Sequence, residues 1–291
     1  STEIRKWFKK NPPLTSKGSI DFLEAKIKVG EKIDLQREVK NIWINKNLTF
    51  KQQKYFISKY SKYWDNLDNW NRFKRLKYEG KNVSARRTLN RIYGDLRKLG
   101  EAQFALSRRS PNVSSLINKV PQNLINDPGL IYERMRWRRK AKLETAAELL
   151  LNPPDKIENK RNWWINARIV VRRLINKKKF NKAYSILNNH KLSLDNESGI
   201  EAEWLAGWVS LHHLNKPENS IIHFSEVYNN SKNKNIKSKA AYWNSLAYKK
   251  IKNNIEEKKW LKISSSNKFT FYGQNASLKL GNLNLKKKKI K

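Results

Sequence analysis

No cysteine occurs among the 291 residues. Disulfide frameworks and thiolate metal sites are therefore excluded, and an oxidising compartment is neither required nor ruled out. Glycine (10) and proline (8) are sparse. Few tight hairpin turns can be built, which favours helices over a β-sandwich. No run of about 18 apolar residues exists, so no segment reads as a membrane span. No signal peptide is visible, but the chain opens on Ser1 in mid-pattern. A processed or cloned start is expected, and the missing signal says nothing about export. Acidic residues are scarce as well: 25 against 63 Lys and Arg, a net charge of +38.

That charge has two readings. A strongly basic chain attracts polyanions, and nucleic acid is the first partner to weigh. Lys, Asn and Ile are also enriched in plain loops such as 229–235, which is what drift toward A/T-rich codons on solvated faces produces. The apolar content is low, 38%, yet it includes 11 Trp. Burial must then come from a few large side chains, each covering a wide area.

The apolar pattern is helical throughout. Trp164, Ala167, Val171 and Leu174 share one helical face. A turn at Asn176 to Lys179 follows, and Phe180, Ala183, Tyr184 and Leu187 repeat the spacing. A second hairpin runs through Trp204, Leu205, Trp208 and Leu211, breaks at Asn215-Lys216-Pro217, and resumes at Ile221, Phe224 and Tyr228. Pro217 suits a first helical turn, where its missing N–H costs nothing. A third starts at Tyr242-Trp243, and its second helix carries Trp260 and Ile263. Ala167 and Ala206 are 39 residues apart, and Gly207 and Ser245 are 38 apart. Helix-pair repeats have periods of this size. An all-α solenoid of stacked hairpins is expected, because no single hairpin can hide its own apolar face. Trp204 and Trp208, one turn apart, should be buried between successive hairpins. Earlier segments are less regular: amphipathic stretches at Asp21 to Val29 and Leu48 to Tyr60, and a hairpin of Trp70 to Tyr78 with Ala85 to Leu96. Leu130 to Leu151 reads as a hairpin linked near Lys142.

Several stretches carry a family likeness. Asp127-Pro128-Gly129-Leu130-Ile131-Tyr132-Glu133-Arg134-Met135-Arg136-Trp137-Arg138-Arg139, then Ala146 to Leu151, resembles a run in soluble lytic murein transglycosylases of α-proteobacterial type. The likeness resumes at Asn162-Trp163-Trp164, at Arg168 to Leu174, at Ala202 to Trp208, at Ala240 to Trp243 and at Thr270 to Gln274. Trp7-Phe8 and Pro12 to Thr15 resemble that family's upstream region. The resemblance implies a periplasmic location. It implies an α-superhelical domain curled toward a ring, here residues 1–285, that supports a lysozyme-like catalytic domain and accommodates peptidoglycan glycan strands. In the family that catalytic domain cleaves the bond between N-acetylmuramic acid and N-acetylglucosamine and leaves a 1,6-anhydro sugar. The partners implied are the glycan strands and the catalytic domain of the full-length protein, which is expected to lie outside this chain.

This sequence departs from the family pattern in the catalytic elements. The single Glu-Ser pair, Glu197-Ser198, falls in the polar stretch Asp195 to Gly199, which reads as a loop, and no Gly-Leu-Met-Gln element follows. A general acid needs a partly desolvated cleft, so no catalytic residue is expected. The chain alone is expected to be inert, with no cofactor.

The four histidines, His190, His212, His213 and His223, lack the i, i+4 spacing of a helical zinc site and read as structural. Arg134, Arg136, Arg138 and Arg139 form the densest basic segment outside the tail. They are either a solvated face or a wall that meets stem-peptide carboxylates, which a guanidinium fork matches. Residues 286–291 read as a basic tail. The rival to the peptidoglycan reading is a helical-repeat scaffold that takes nucleic acid as a non-specific polyanion, or a protein partner, through its basic surface.

Overall fold

The computed structural model describes residues 2–142 and 144–281, so the basic tail lies outside the described residues. Every regular element among them is helical. The chain divides into two compact units, Ser1–Leu124 and Ile125–Lys291.

The first unit holds α1 (Thr2–Lys10), α2 (Ser16–Lys28), α3 (Leu35–Asn45), α4 (Phe50–Tyr60), α5 (Asn66–Tyr78), α6 (Asn82–Leu89), α7 (Gly94–Arg108) and α8 (Val113–Asn118). Reciprocal capping boxes start α4, with Thr49 and Gln52, and α5, with Asp65 and Asp68. The core gathers on Trp43, which is fully buried and stacks on Trp64 at 4.3 Å. Its Nε1 donates to Asn69 Oδ1 at 3.0 Å, so the ring is buried without an orphaned donor. The stretch Ala85 to Leu96 is not one helix. It ends at Leu89 and restarts at Gly94, whose φ of 64° is open to glycine. Asn66 clamps the link by accepting from the N–H of Tyr93 and donating to its carbonyl.

The second unit holds α9 (Pro128–Lys140), α10 (Glu148–Leu151), α11 (Lys160–Asn176), α12 (Phe180–Asn188), α13 (Glu197–His212), α14 (Pro217–Asn230), α15 (Lys234–Lys250), α16 (Asn254–Ser265) and α17 (Phe271–Lys279). From α11 onward each helix packs on the next, and α11, α13, α15 and α17 also pack in succession. This is the all-α solenoid, helices stacked in a row.

The structural period is 37 residues, not the 38 to 39 expected. The N-caps of α11, α13, α15 and α17 are Asn159, Asn196, Asn233 and Thr270, each 37 residues after the last. The left-handed residues that turn each hairpin, Lys178, Asn215 and Lys252, keep the same interval, as do the second-helix starts Phe180, Pro217 and Asn254. The small residues matched in sequence are not equivalent. Gly207 corresponds to Val170 and Asn244, and Ala206 has no counterpart in Ala167. In the second helices Leu187, Phe224 and Leu261 are equivalent and all are buried. Trp204 and Trp208 are only half-buried. Trp204 meets Trp243 edge-on at 6.0 Å, and the Lys239 Nζ lies 3.1 Å from its ring centroid.

Candidate functional site

Three helices of the solenoid, α11, α13 and α15, begin side by side, and an open groove of about 830 Å³ lies over their starts. Its walls follow from the repeat. Lys160, Arg161, Trp164, Ile165 and Arg168 come from α11. The chain entering α13 and its first turns supply residues 194–198, Ile200 and Glu201, and the chain entering α15 supplies residues 230–233 and Ile236. The asparagine caps hold these entries tightly. Asn196 Oδ1 accepts from the N–H groups of Ser198 and Gly199, and Asn233 Oδ1 from those of Asn235 and Ile236. At Gly199 a Cβ would stand 2.1 Å from the Ser193 carbonyl oxygen, so only glycine allows the chain to pass so close.

The lining carries both signs of charge. Lys160, Arg161, Arg168 and Lys232 face Asp195, Glu197 and Glu201. Glu201 is the best anchored. It accepts from Arg168 at 2.6 Å and from Trp164 Nε1 at 2.6 Å, a contact between positions one repeat apart. Lys160 reaches Asp195 at 3.5 Å, a loose and exposed pair worth little. Hydrogen bonds from Asn196 and Ser193, with Lys160 nearby, hold the Asp195 carboxyl below its ordinary range. Among the described residues no ion pair ties down Arg161, Lys232 or Glu197. Behind the wall, burial pushes the Lys239 amine down to about 8, while the Glu201 charge opposes that shift.

Glu197 does not sit in a loop. It is the first residue of α13, just after the Asn196 cap, and its side chain is exposed. That position offers water, not the desolvated cleft a general acid requires.

The arginine segment lies on α9, and none of its four members lines the groove. All four are half-buried. Arg136 pairs with Glu133 at 3.2 Å, and Arg138 donates to the Thr145 carbonyl at 3.2 Å. The carbonyl of Arg139 accepts from Arg173. Burial, and then the charge of Arg138, lower the Arg134 guanidinium from its ordinary value.

A second polar cluster was not legible in the sequence. Glu203 on α13 is gripped by two histidines: His190 Nε2 at 3.0 Å and His223 Nδ1 at 2.7 Å. His190 Nδ1 accepts from the Leu192 N–H at 2.9 Å, which leaves its proton on Nε2, facing the carboxylate. His223 Nε2 meets the Tyr184 hydroxyl at 3.0 Å, and that hydroxyl also accepts from Asn219. Burial pushes the Glu203 carboxyl up, but the hydrogen bonds from His190 and His223 outweigh it and hold it down to about 2. So strong an acid holds no proton to give near neutral pH. The cluster acts as a clamp that joins α12, α13 and α14. The other two histidines pack in an aromatic group: His213 stacks on Phe180 at 4.1 Å, and His212 lies against Trp208 and Trp243. Among the described residues no cluster of three or more His, Cys, Asp or Glu could hold a metal ion. No described helix is long and apolar enough to cross a membrane.

Comparison with family models, with curated proteins and with solved structures finds no match to this chain.

Proposed function

We propose that this chain is a non-catalytic helical-repeat scaffold that holds peptidoglycan in the periplasm, with stem peptides lying in the groove over the starts of α11, α13 and α15. The observation that carries the reading is the balance of the lining. In a chain of net charge +38, this groove sets three carboxylates among four cations. A polyanion running along it meets Asp195, Glu197 and Glu201 among the cations, a mixed lining that a uniformly negative chain matches poorly. A stem peptide carries both carboxylates and amino groups and can pair with both signs. Arg161, Lys232 and Glu197 enter such contacts without first breaking an internal ion pair. The sequence resemblance supports the choice of polymer, and an associated catalytic domain would do the cutting.

Co-sedimentation with purified sacculi tests the reading. At about physiological salt, diffuse attraction is screened beyond about 8 Å. The chain is expected to sediment with sacculi and to stay bound under an excess of single-stranded RNA. Complete displacement by RNA would reduce the interaction to net charge and end the peptidoglycan reading.

A further inference from the structure

The first unit carries a groove of a different chemistry. It lies between α4 and α6 with the residues just after α6, encloses about 610 Å³, and is lined by Phe50, Lys54, Ile57, Arg87, Asn90 and Arg91, together with Gln53 and Ser58. No carboxylate is among them. Neither α4 nor α6 contains an acidic residue. Of the other cations of the two helices, Lys59 pairs with Glu24 and Arg86 with Glu101, and Lys51 lies outside the lining. Among the described residues no ion pair engages Lys54, Arg87 or Arg91.

Three features mark this groove as built to receive something. Phe50 is 63% exposed at the rim, where a core phenylalanine has no reason to be. Arg87 lies 5.4 Å from its ring centroid and is fixed there by Gln53 Oε1 and Ser84 Oγ, each at 3.1 Å. Within reach of the Arg87 charge, Arg72 is fully buried with no carboxylate bonded to it. It donates to the carbonyls of Trp43 and Lys46, and its Nε and Nη2 have no partner. Burial pushes this guanidinium down to about 9, the charges of Arg75 and Arg87 push in the same direction, and Glu79, the ion-pair partner of Arg75, opposes them. The Arg87 charge on the groove wall thus adds to the cost of the buried Arg72 charge, a cost that an anion bound beside Arg87 relieves.

We propose that the α4–α6 groove binds single-stranded nucleic acid, one base lying on the open face of Phe50 and the flanking phosphates on Lys54, Arg87 and Arg91. An exposed aromatic ring beside guanidinium groups is the usual platform for an unstacked base. A duplex keeps its bases in the stack and cannot use Phe50. The exposed Asn90 presents an amide that tolerates any base edge, so little sequence preference is expected. This site stands apart from the peptidoglycan reading, which concerns the other unit.

The test separates stacking from charge with two strands of equal charge, a 12-nucleotide single-stranded DNA and the same strand with abasic residues. Binding of the full chain is measured at about physiological salt. The parent is expected to prefer the base-bearing strand by about 5- to 150-fold, the span of one base–aromatic stack. Phe50→Ala should bind both strands alike, and Phe50→Trp should keep the preference. Arg91→Ala should weaken both strands together. A rim position makes Phe50→Ala safe for folding, and matching thermal melts would verify this. A parent that binds both strands equally, or a Phe50→Ala variant that keeps the preference, overturns the proposal.

Discussion

The ring of Phe224 occupies the space where a side chain at position 207 would be: a Cβ on Gly207 would lie 2.7 Å from its Cε1. The equivalent pairs in the neighbouring repeats are Val170 with Leu187, and Asn244 with Leu261. A full aromatic ring is carried on the second helix only where the first helix gives up its side chain. Gly207→Ala should therefore destabilise the protein by about 1–3 kcal/mol through overpacking, despite alanine's better helix propensity. Adding Phe224→Leu should recover part of that loss. Thermal melts of the two single variants and the double variant measure the coupling. Strict additivity would show that the two residues do not constrain each other.

Trp204 and Trp43 should respond differently to truncation. Trp43 is fully enclosed, and its loss should cost about 3–5 kcal/mol. Trp204 is half-buried under Lys239, so Trp204→Ala should cost less, about 1–3 kcal/mol, because water can enter part of the space left behind. Chemical denaturation of both variants ranks them. A larger loss at Trp204 would contradict the packing described.

The helical class, the turn at Asn176 to Lys179 and the start of α14 at Pro217 were legible because period and proline report directly on local backbone. Small residues do not report the repeat length. Ala167 and Ala206 do not fall at equivalent positions, whereas the chain-entry geometry at Asn159, Asn196 and Asn233 sets the true interval. Caps are better markers, since a cap must fall at a fixed place relative to the helix. Glu203 was invisible for another reason. His190 and His223 stand 13 and 20 residues away, and only the folding of α12 and α14 on either side of α13 brings them to one carboxylate. The grooves likewise arise from neighbouring elements and leave no spacing signature.

The Glu203 clamp should appear in the pH dependence of stability. Its carboxyl falls from an ordinary 4.5 to about 2 in the folded chain. The stabilisation is fully present above about pH 5 and is lost as the pH falls through 2. Near neutral pH, Glu203→Gln should cost on the order of 2 kcal/mol, and the gap between parent and variant should close on acidification. Urea melts from pH 7 to pH 2 follow it. A gap unchanged between pH 5 and pH 2 would mean that Glu203 is not held as the charged partner of the two histidines.

The chain should release no anhydro-muropeptides from sacculi, and Glu197→Gln should change nothing, since Glu197 is an exposed residue in the first turn of α13. Mass spectrometry of the soluble fraction checks this. Release that vanished in the Glu197 variant would place a general acid where none is expected.

The most direct test of the scaffold reading maps the contact itself. Ile165 lines the α11–α13–α15 groove and is 37% exposed, while Ile222 on α14 is 62% exposed and lies outside the lining. A photo-crosslinking amino acid is placed at each position in turn, and the protein is irradiated on purified sacculi and digested. Adducts of muropeptide mass are expected at position 165 and not at 222. No adduct at 165, or equal yields at both positions, would contradict a peptidoglycan site in this groove.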